Sequence, residues 1–147
     1  MQVRVRVQRV GAIEVPLPVY QTPGSAGLDL CAALPEPVRL EPGERRLIPA
    51  GLCLEIPPGY EGQVRPRSGL ALRHGITVLN SPGTIDSDYR GELGIVLINH
   101  GAAAVQIAPL DRIAQLVIAP LVTAQFELAL SLSETGRAGG GYGSTGV

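Results

Sequence analysis

The chain has 147 residues, one domain's worth, and its 12 basic against 13 acidic residues leave a formal charge of -1. That balance excludes a nucleic-acid polymer as the main partner, because backbone binding needs a concentrated basic surface. Apolar residues make up 45% of the chain and charged ones 17%, but no run of about 18 apolar residues exists to cross a bilayer, and no apolar targeting run follows Met1; a soluble, cytoplasmic protein with no membrane partner is expected.

Val3, Val5 and Val7 alternate with Arg4, Arg6 and Gln8, the period of two that marks a strand with one buried face. Runs of the same style follow at Leu28 to Ala32 and Leu52 to Ile56, with Glu41-Pro42-Gly43 and Pro57-Pro58-Gly59 as turns. Cys31 and Cys53 fall in these two runs. With only His74 and His100 beside them they form no paired-thiol or zinc spacing, and they read as buried, reduced side chains.

Ser68 to Gly75 breaks the strand pattern: a serine able to cap, good helix formers and a stopping glycine predict a helix of one or two turns. Arg65 and Arg67 stand just before it, where unpaired N–H groups and the helix dipole favour phosphate. A capped helix with two solvated arginines accounts for the same spacing.

Ile76 to Leu79 is again strand-like, and it leads into the turn-rich loop Asn80 to Glu92, which carries Asp86, Asp88, Glu92 and Tyr89. Loops on rigid sheets are where sites are usually built. Asp86 and Asp88 share a face if the segment is extended, so spacing does not say which is chemical and which merely caps its own turn. Leu93 to Asn99, Ile113 to Pro120 and Gln125 to Leu130 complete the predicted strands. The sum is an all-β domain over residues 1–135, a small barrel or jelly-roll-like sandwich with one short helix.

The last segment, residues 136–147, contains Gly-Arg-Ala-Gly-Gly-Gly-Tyr-Gly-Ser-Thr-Gly, which is too glycine-rich to hold a shape alone. Arg137, Ser144 and Thr145 suit phosphate oxygens, and Tyr142 offers a face on which a base can stack. A frayed terminus is the commoner fate of such a composition.

Five strings tip the balance: Ala26-Gly27-Leu28-Asp29-Leu30, Arg67-Ser68-Gly69-Leu70-Ala71, the loop Asn80 to Glu92, Asp111-Arg112-Ile113-Ala114-Gln115-Leu116, and Arg137 to Gly146. In order and separation they resemble the five motifs of the trimeric dUTPases, over nearly the whole chain. Ala138 replaces the glycine usual after the tail arginine, and Tyr142 stands where phenylalanine is common. The resemblance implies a β-clip, distorted-barrel fold and a homotrimer with shared active sites, the tail of one subunit closing over a pocket made by the other two. It implies hydrolysis of dUTP to dUMP and pyrophosphate by water attacking the α-phosphorus, with Mg²⁺ bridging the phosphates. Asp86 is similar to the family's base, and Asp29 to the aspartate that assists the metal through water.

By the same resemblance Arg67, Ser68, Gly69 and Gln115 contact phosphates, while Arg137, Ser144 and Thr145 clamp the γ-phosphate and Tyr142 stacks. Arg112 reads as a structural ion-pair partner. Asn80 with main-chain groups at Thr84 and Ile85 is similar to the uracil-reading edge, Tyr89 to the residue under the deoxyribose, and Gly94 to a further nucleotide-proximal position. The alternatives are a dCTP deaminase-like enzyme of the same fold and a non-catalytic nucleotide-binding trimer.

Overall fold

The computed structural model describes residues 2–143 and Gly146. Among them are ten strands and one helix: β1 (Arg6–Arg9), β2 (Leu28–Cys31), β3 (Val38–Leu40), β4 (Arg45–Glu55), β5 (Tyr60–Arg65), α1 (Ser68–His74), β6 (Ile76–Val78), β7 (Gly83–Ile85), β8 (Glu92–Asn99), β9 (Val105–Ile107) and β10 (Arg112–Pro120). Their pairings are antiparallel and build a four-stranded sheet in the order β1-β4-β8-β6, a second in the order β2-β10-β5-β7, and a ribbon of β3 with β9.

The all-β expectation with one short helix matches this architecture, but the sheets do not close into a barrel. Each four-stranded sheet keeps two edges, β1 and β6 in one, β2 and β7 in the other. Burial is achieved face to face, since a strand's alternate residues need only one covered side. Along β8, Leu93, Ile95, Leu97 and Asn99 point inward while their neighbours do not. Leu93, Ile95 and Leu97 meet Leu30, Ile48, Leu54, Val64, Ile113 and Leu116 in a single core.

Of the predicted strands, Leu52 to Ile56 is only the end of a β4 that starts at Arg45, and two others also differ. The first is paired only over β1, with Arg6 opposite Glu55 and Arg9 opposite Leu52, and its valines stay partly exposed because they line an open apolar groove. Gln125 to Leu130 forms no strand; Phe126, Leu128 and Leu130 are at least 95% exposed, and an extended segment with nothing beside it has no ladder to join. The helix ends as predicted, on Gly75 in the left-handed region at φ 68°, whose N–H meets the carbonyls of Ala71 and Leu70. Its start differs. Arg67 holds the capping position without a side-chain bond to the helix N-terminus, and Ser68 is already helical. Of the cysteines, both free, Cys31 is buried and Cys53 half-buried.

Candidate active site

The loop after β6 turns at Leu79 to Pro82, where the Ser81 hydroxyl donates to the Val78 carbonyl. Gly83 to Ile85 then runs back as β7, pairing with β5 through Thr84 opposite Gln63. As the outermost strand of its sheet, β7 leaves one side of its main chain without a ladder, free to face a hydrogen-bonding guest. Asn80 lies over Gly83, whose added Cβ would stand 3.4 Å from the amide nitrogen of Asn80.

Asn80, Thr84, Ile85, Asp86, Tyr89 and Gly94 line one cleft of about 220 Å³, walled by Val64 and Val78. The chain turns at Ser87-Asp88, with the Tyr89 N–H donating to the Asp86 carbonyl at 3.1 Å, so the two aspartates do not share an extended segment. Asp86 lines the cleft and Asp88 does not. The Tyr89 hydroxyl donates to the Glu92 carbonyl at 3.0 Å, fixing the ring at the rim.

A second cleft, of about 350 Å³, gathers Asp29, Arg67, Ser68, Gly69, Arg112 and Gln115 with Gln21, Ser25, Ala26 and Gly27. Here β2 presents Asp29 beside Gln115 of β10, and α1 starts at the far wall. Asp29 takes Arg67 Nε on one oxygen at 3.1 Å and Arg112 Nη1 on the other at 3.2 Å. Arg67 also donates to the Arg112 carbonyl at 2.9 Å, and Gln115 to the Pro66 carbonyl at 3.0 Å. Two guanidinium groups against one carboxylate leave a surplus positive charge, which suits an anion. Burial, and then the neighbouring Asp29 charge, push the Cys31 thiol up from its ordinary value, so it stays neutral beside this cluster.

Arg112 thus stands as the ion-pair partner expected. Arg65 is turned to Gln63, which accepts from its Nε at 3.0 Å, and lines neither cleft. Gln21 and Ser25 were not singled out from sequence; their signal is the turn Thr22-Pro23-Gly24-Ser25 just before Asp29, closed by the Ser25 N–H on the Thr22 carbonyl. Arg137 and Tyr142 are exposed and line neither cleft; Arg137 Nε donates to the Gly140 carbonyl at 2.8 Å. Ser144 and Thr145 lie outside the described residues.

The two clefts share no lining residue. They sit toward opposite edges of one sheet, β7 and β2, which three strand spacings hold about 14 Å apart. Among the described residues no group of three or more His, Cys, Asp or Glu side chains is placed to hold a metal ion, and no helix is long and apolar enough to cross a membrane.

Comparison with known proteins bears on this arrangement. The family model for dUTPase matches residues 13–146. A deoxyuridine 5'-triphosphate nucleotidohydrolase of Anaeromyxobacter sp. (strain Fw109-5) is 64% identical over 99% of both chains, and one of Roseobacter denitrificans is 62% identical over 90% of this chain and 88% of its own. Among solved structures, a mutant dUTPase of Staphylococcus bacteriophage 80alpha with dUpNHpp superimposes with a TM-score of 0.87 at 26% identity, covering 98% of this chain and 99% of that one. A mutant dUTPase of phage phi11 of S. aureus, described with a structural Mg(II) ion, gives 0.78 at 27% identity, over 87% of this chain and 97% of its own. With a family model that spans its motifs and relatives this similar over almost its full length, the chain belongs to the dUTPase family.

Proposed function

We propose that this chain is a dUTP diphosphatase working as a homotrimer in the cytoplasm, and that Asp86 is the base that prepares water for attack on the α-phosphorus. The observation that carries this reading is the division of the candidate residues between two clefts at opposite edges of one sheet. One holds a carboxylate beside a main-chain edge suited to a pyrimidine; the other holds the arginines suited to a triphosphate. A second copy that brings its anion cleft to the first copy's hairpin cleft assembles a whole site, and cyclic threefold symmetry closes such heterologous contacts into a ring of three.

Asn80 and the free main-chain side of Thr84 and Ile85 pair with the uracil edge, and cytosine meets them with reversed polarity at its position 4. Stranding such groups unpaired costs a factor of roughly 10⁴ to 10⁵ in selectivity. Tyr89 floors the deoxyribose and Gly94 lies beside the nucleotide. Arg67, Ser68, Gly69 and Gln115 receive the phosphates. Water held by Asp86 gives it a proton as its oxygen bonds to the α-phosphorus, and pyrophosphate leaves, so dUTP and water become dUMP and pyrophosphate. Phosphoryl transfer of this kind needs positioning and charge neutralisation rather than a protein nucleophile.

The donor set fits Mg²⁺ carried on the triphosphate, an ion that commonly binds through one or two carboxylates plus phosphates and water. Asp29 is the one carboxylate lining the anion cleft, and each of its oxygens keeps a lone-pair direction beyond its arginine for a metal-bound water. When bound, the ion neutralises phosphate charge. Residues 136–147 act as a separate closing tail, with Arg137, Ser144 and Thr145 on the γ-phosphate and Tyr142 stacked on the base.

Asp86→Asn tests the base. With Mg²⁺ and a non-hydrolysable dUTP analogue its affinity stays close to that of the unmodified chain, while kcat on dUTP falls by roughly 10² to 10⁴. Undiminished turnover removes Asp86 from the role. Ammonia released from dCTP by the unmodified chain overturns the diphosphatase reading.

A further inference from the structure

Tyr89 owes its place at the rim to the residue two positions on. An added Cβ at Gly91 would stand 2.6 Å from Tyr89 Cζ and 3.0 Å from Cε2, and closer still to the hydroxyl. The phenol end of the side chain, from the hydroxyl to Cε2, therefore packs against the Gly91 main chain in space that any other residue fills. That same end is tied as well, since the hydroxyl donates to the Glu92 carbonyl at 3.0 Å. Glu92 is itself anchored: its carboxylate accepts the Gly51 N–H at 2.9 Å, joining the start of β8 to β4. An intruding methyl group meets a ring that cannot settle elsewhere without breaking its hydroxyl bond.

Conformational freedom is not what glycine supplies here. Gly51 and Gly75 hold left-handed backbone at φ 69° and 68°, whereas Gly91 is not among the positive-φ glycines, so its backbone accepts an alanine. The tightest restriction comes from the tyrosine, whose atoms are the three nearest to the added Cβ.

We propose that Gly91 is a specificity-determining, positioning residue: by lacking a side chain it lets the Tyr89 ring sit low enough to exclude a 2'-hydroxyl, and so sets the preference for deoxyribose over ribose. The proposal rests on the reading of the hairpin cleft as the uridine site. Moving the ring outward takes away the sugar's floor, which weakens dUTP, and opens room where the extra hydroxyl of UTP was refused.

The test compares kcat/KM for dUTP and UTP in four proteins: the unmodified chain, Gly91→Ala, Tyr89→Ala, and the double variant. Hydrolysis of dUTP by the unmodified chain is measured first, and its absence defeats the functional reading without touching the steric one. Gly91→Ala is expected to lower the dUTP to UTP ratio by about tenfold or more, with a melting midpoint near that of the unmodified chain. In the Tyr89→Ala background the same substitution leaves the ratio unchanged, because the ring it displaces is gone. An unaltered ratio in Gly91→Ala, or an equal fall in both backgrounds, overturns the proposal. Should Gly91→Ala alone fail to fold, a folded double variant with the ratio of Tyr89→Ala upholds the steric coupling, and an unfolded double variant refutes it.

Discussion

Asn99 shows at the residue scale how a polar side chain survives in an apolar core. It is fully buried at the inward end of β8, where its Nδ2 donates to the carbonyls of Leu40 at 3.0 Å and Ala103 at 2.9 Å, and its Oδ1 accepts the Gly101 N–H at 2.8 Å. It therefore ties β8 to β3 and shapes the turn toward β9. Asn99→Ala strands two carbonyls and one amide, and a loss of about 3 kcal/mol is expected in urea unfolding at fixed protein concentration. In sequence Asn99 is only the last residue of an apolar run, and nothing local distinguishes an inward asparagine from a loop one. Spacing by itself left the aspartate pair equally undecided, and Asp86 stood out only through the family resemblance. Only the turn at Ser87-Asp88 puts Asp86 into the cleft and leaves Asp88 outside.

Strand elements were legible where apolar side chains run on for several residues, with alternate burial in β8 and a nearly continuous apolar run in β10. β5 was not, because glycine takes an inward position. An added Cβ at Gly62 would stand 3.0 Å from Ile56, 3.1 Å from Ile85 and 3.2 Å from Leu116, so close packing demands the residue that hides the pattern. β3, β7 and β9 span three residues each, too few for a period to show. The C-terminal segment is a different kind of element. Arg137 and Tyr142 are exposed and line neither cleft, and the glycines around them leave the backbone dependent on an outside partner. Truncation before Gly136 is expected to lower kcat/KM on dUTP at least tenfold, as loss of a closing element does, with circular dichroism and melting midpoint unchanged. Full activity in that variant would leave the tail without a role in the reaction.

At the scale of the whole molecule, one chain leaves apolar surface uncovered. Phe126, Leu128, Leu130 and Leu132 alternate along an extended arm at 88–108% exposure, and β1 stands as an open edge beside an apolar groove of about 510 Å³ lined by Val3, Val5, Val7, Leu17, Tyr20 and Ile118. A monomer rarely leaves that much apolar surface to water. The shared site proposed above calls for a second copy as well, because it joins two separated clefts. Sedimentation equilibrium is expected to return three times the chain mass of 15.3 kDa, and a monomer active on dUTP would overturn the shared-site reading.

By itself the sequence determined the all-β class, the short helix with its glycine stop, and, through five ordered motifs, the family. These are local matters, decided by side-chain period, by turn chemistry and by strings of adjacent residues. What only the tertiary structure decided was non-local: that the sheets stay open, that Asp29 is held between Arg67 and Arg112, and that Asp86 lies in a different cleft from the arginines. Strand order and the spacing across a sheet depend on which distant segments pair, and a linear pattern of apolar residues contains the faces of strands but not their neighbours.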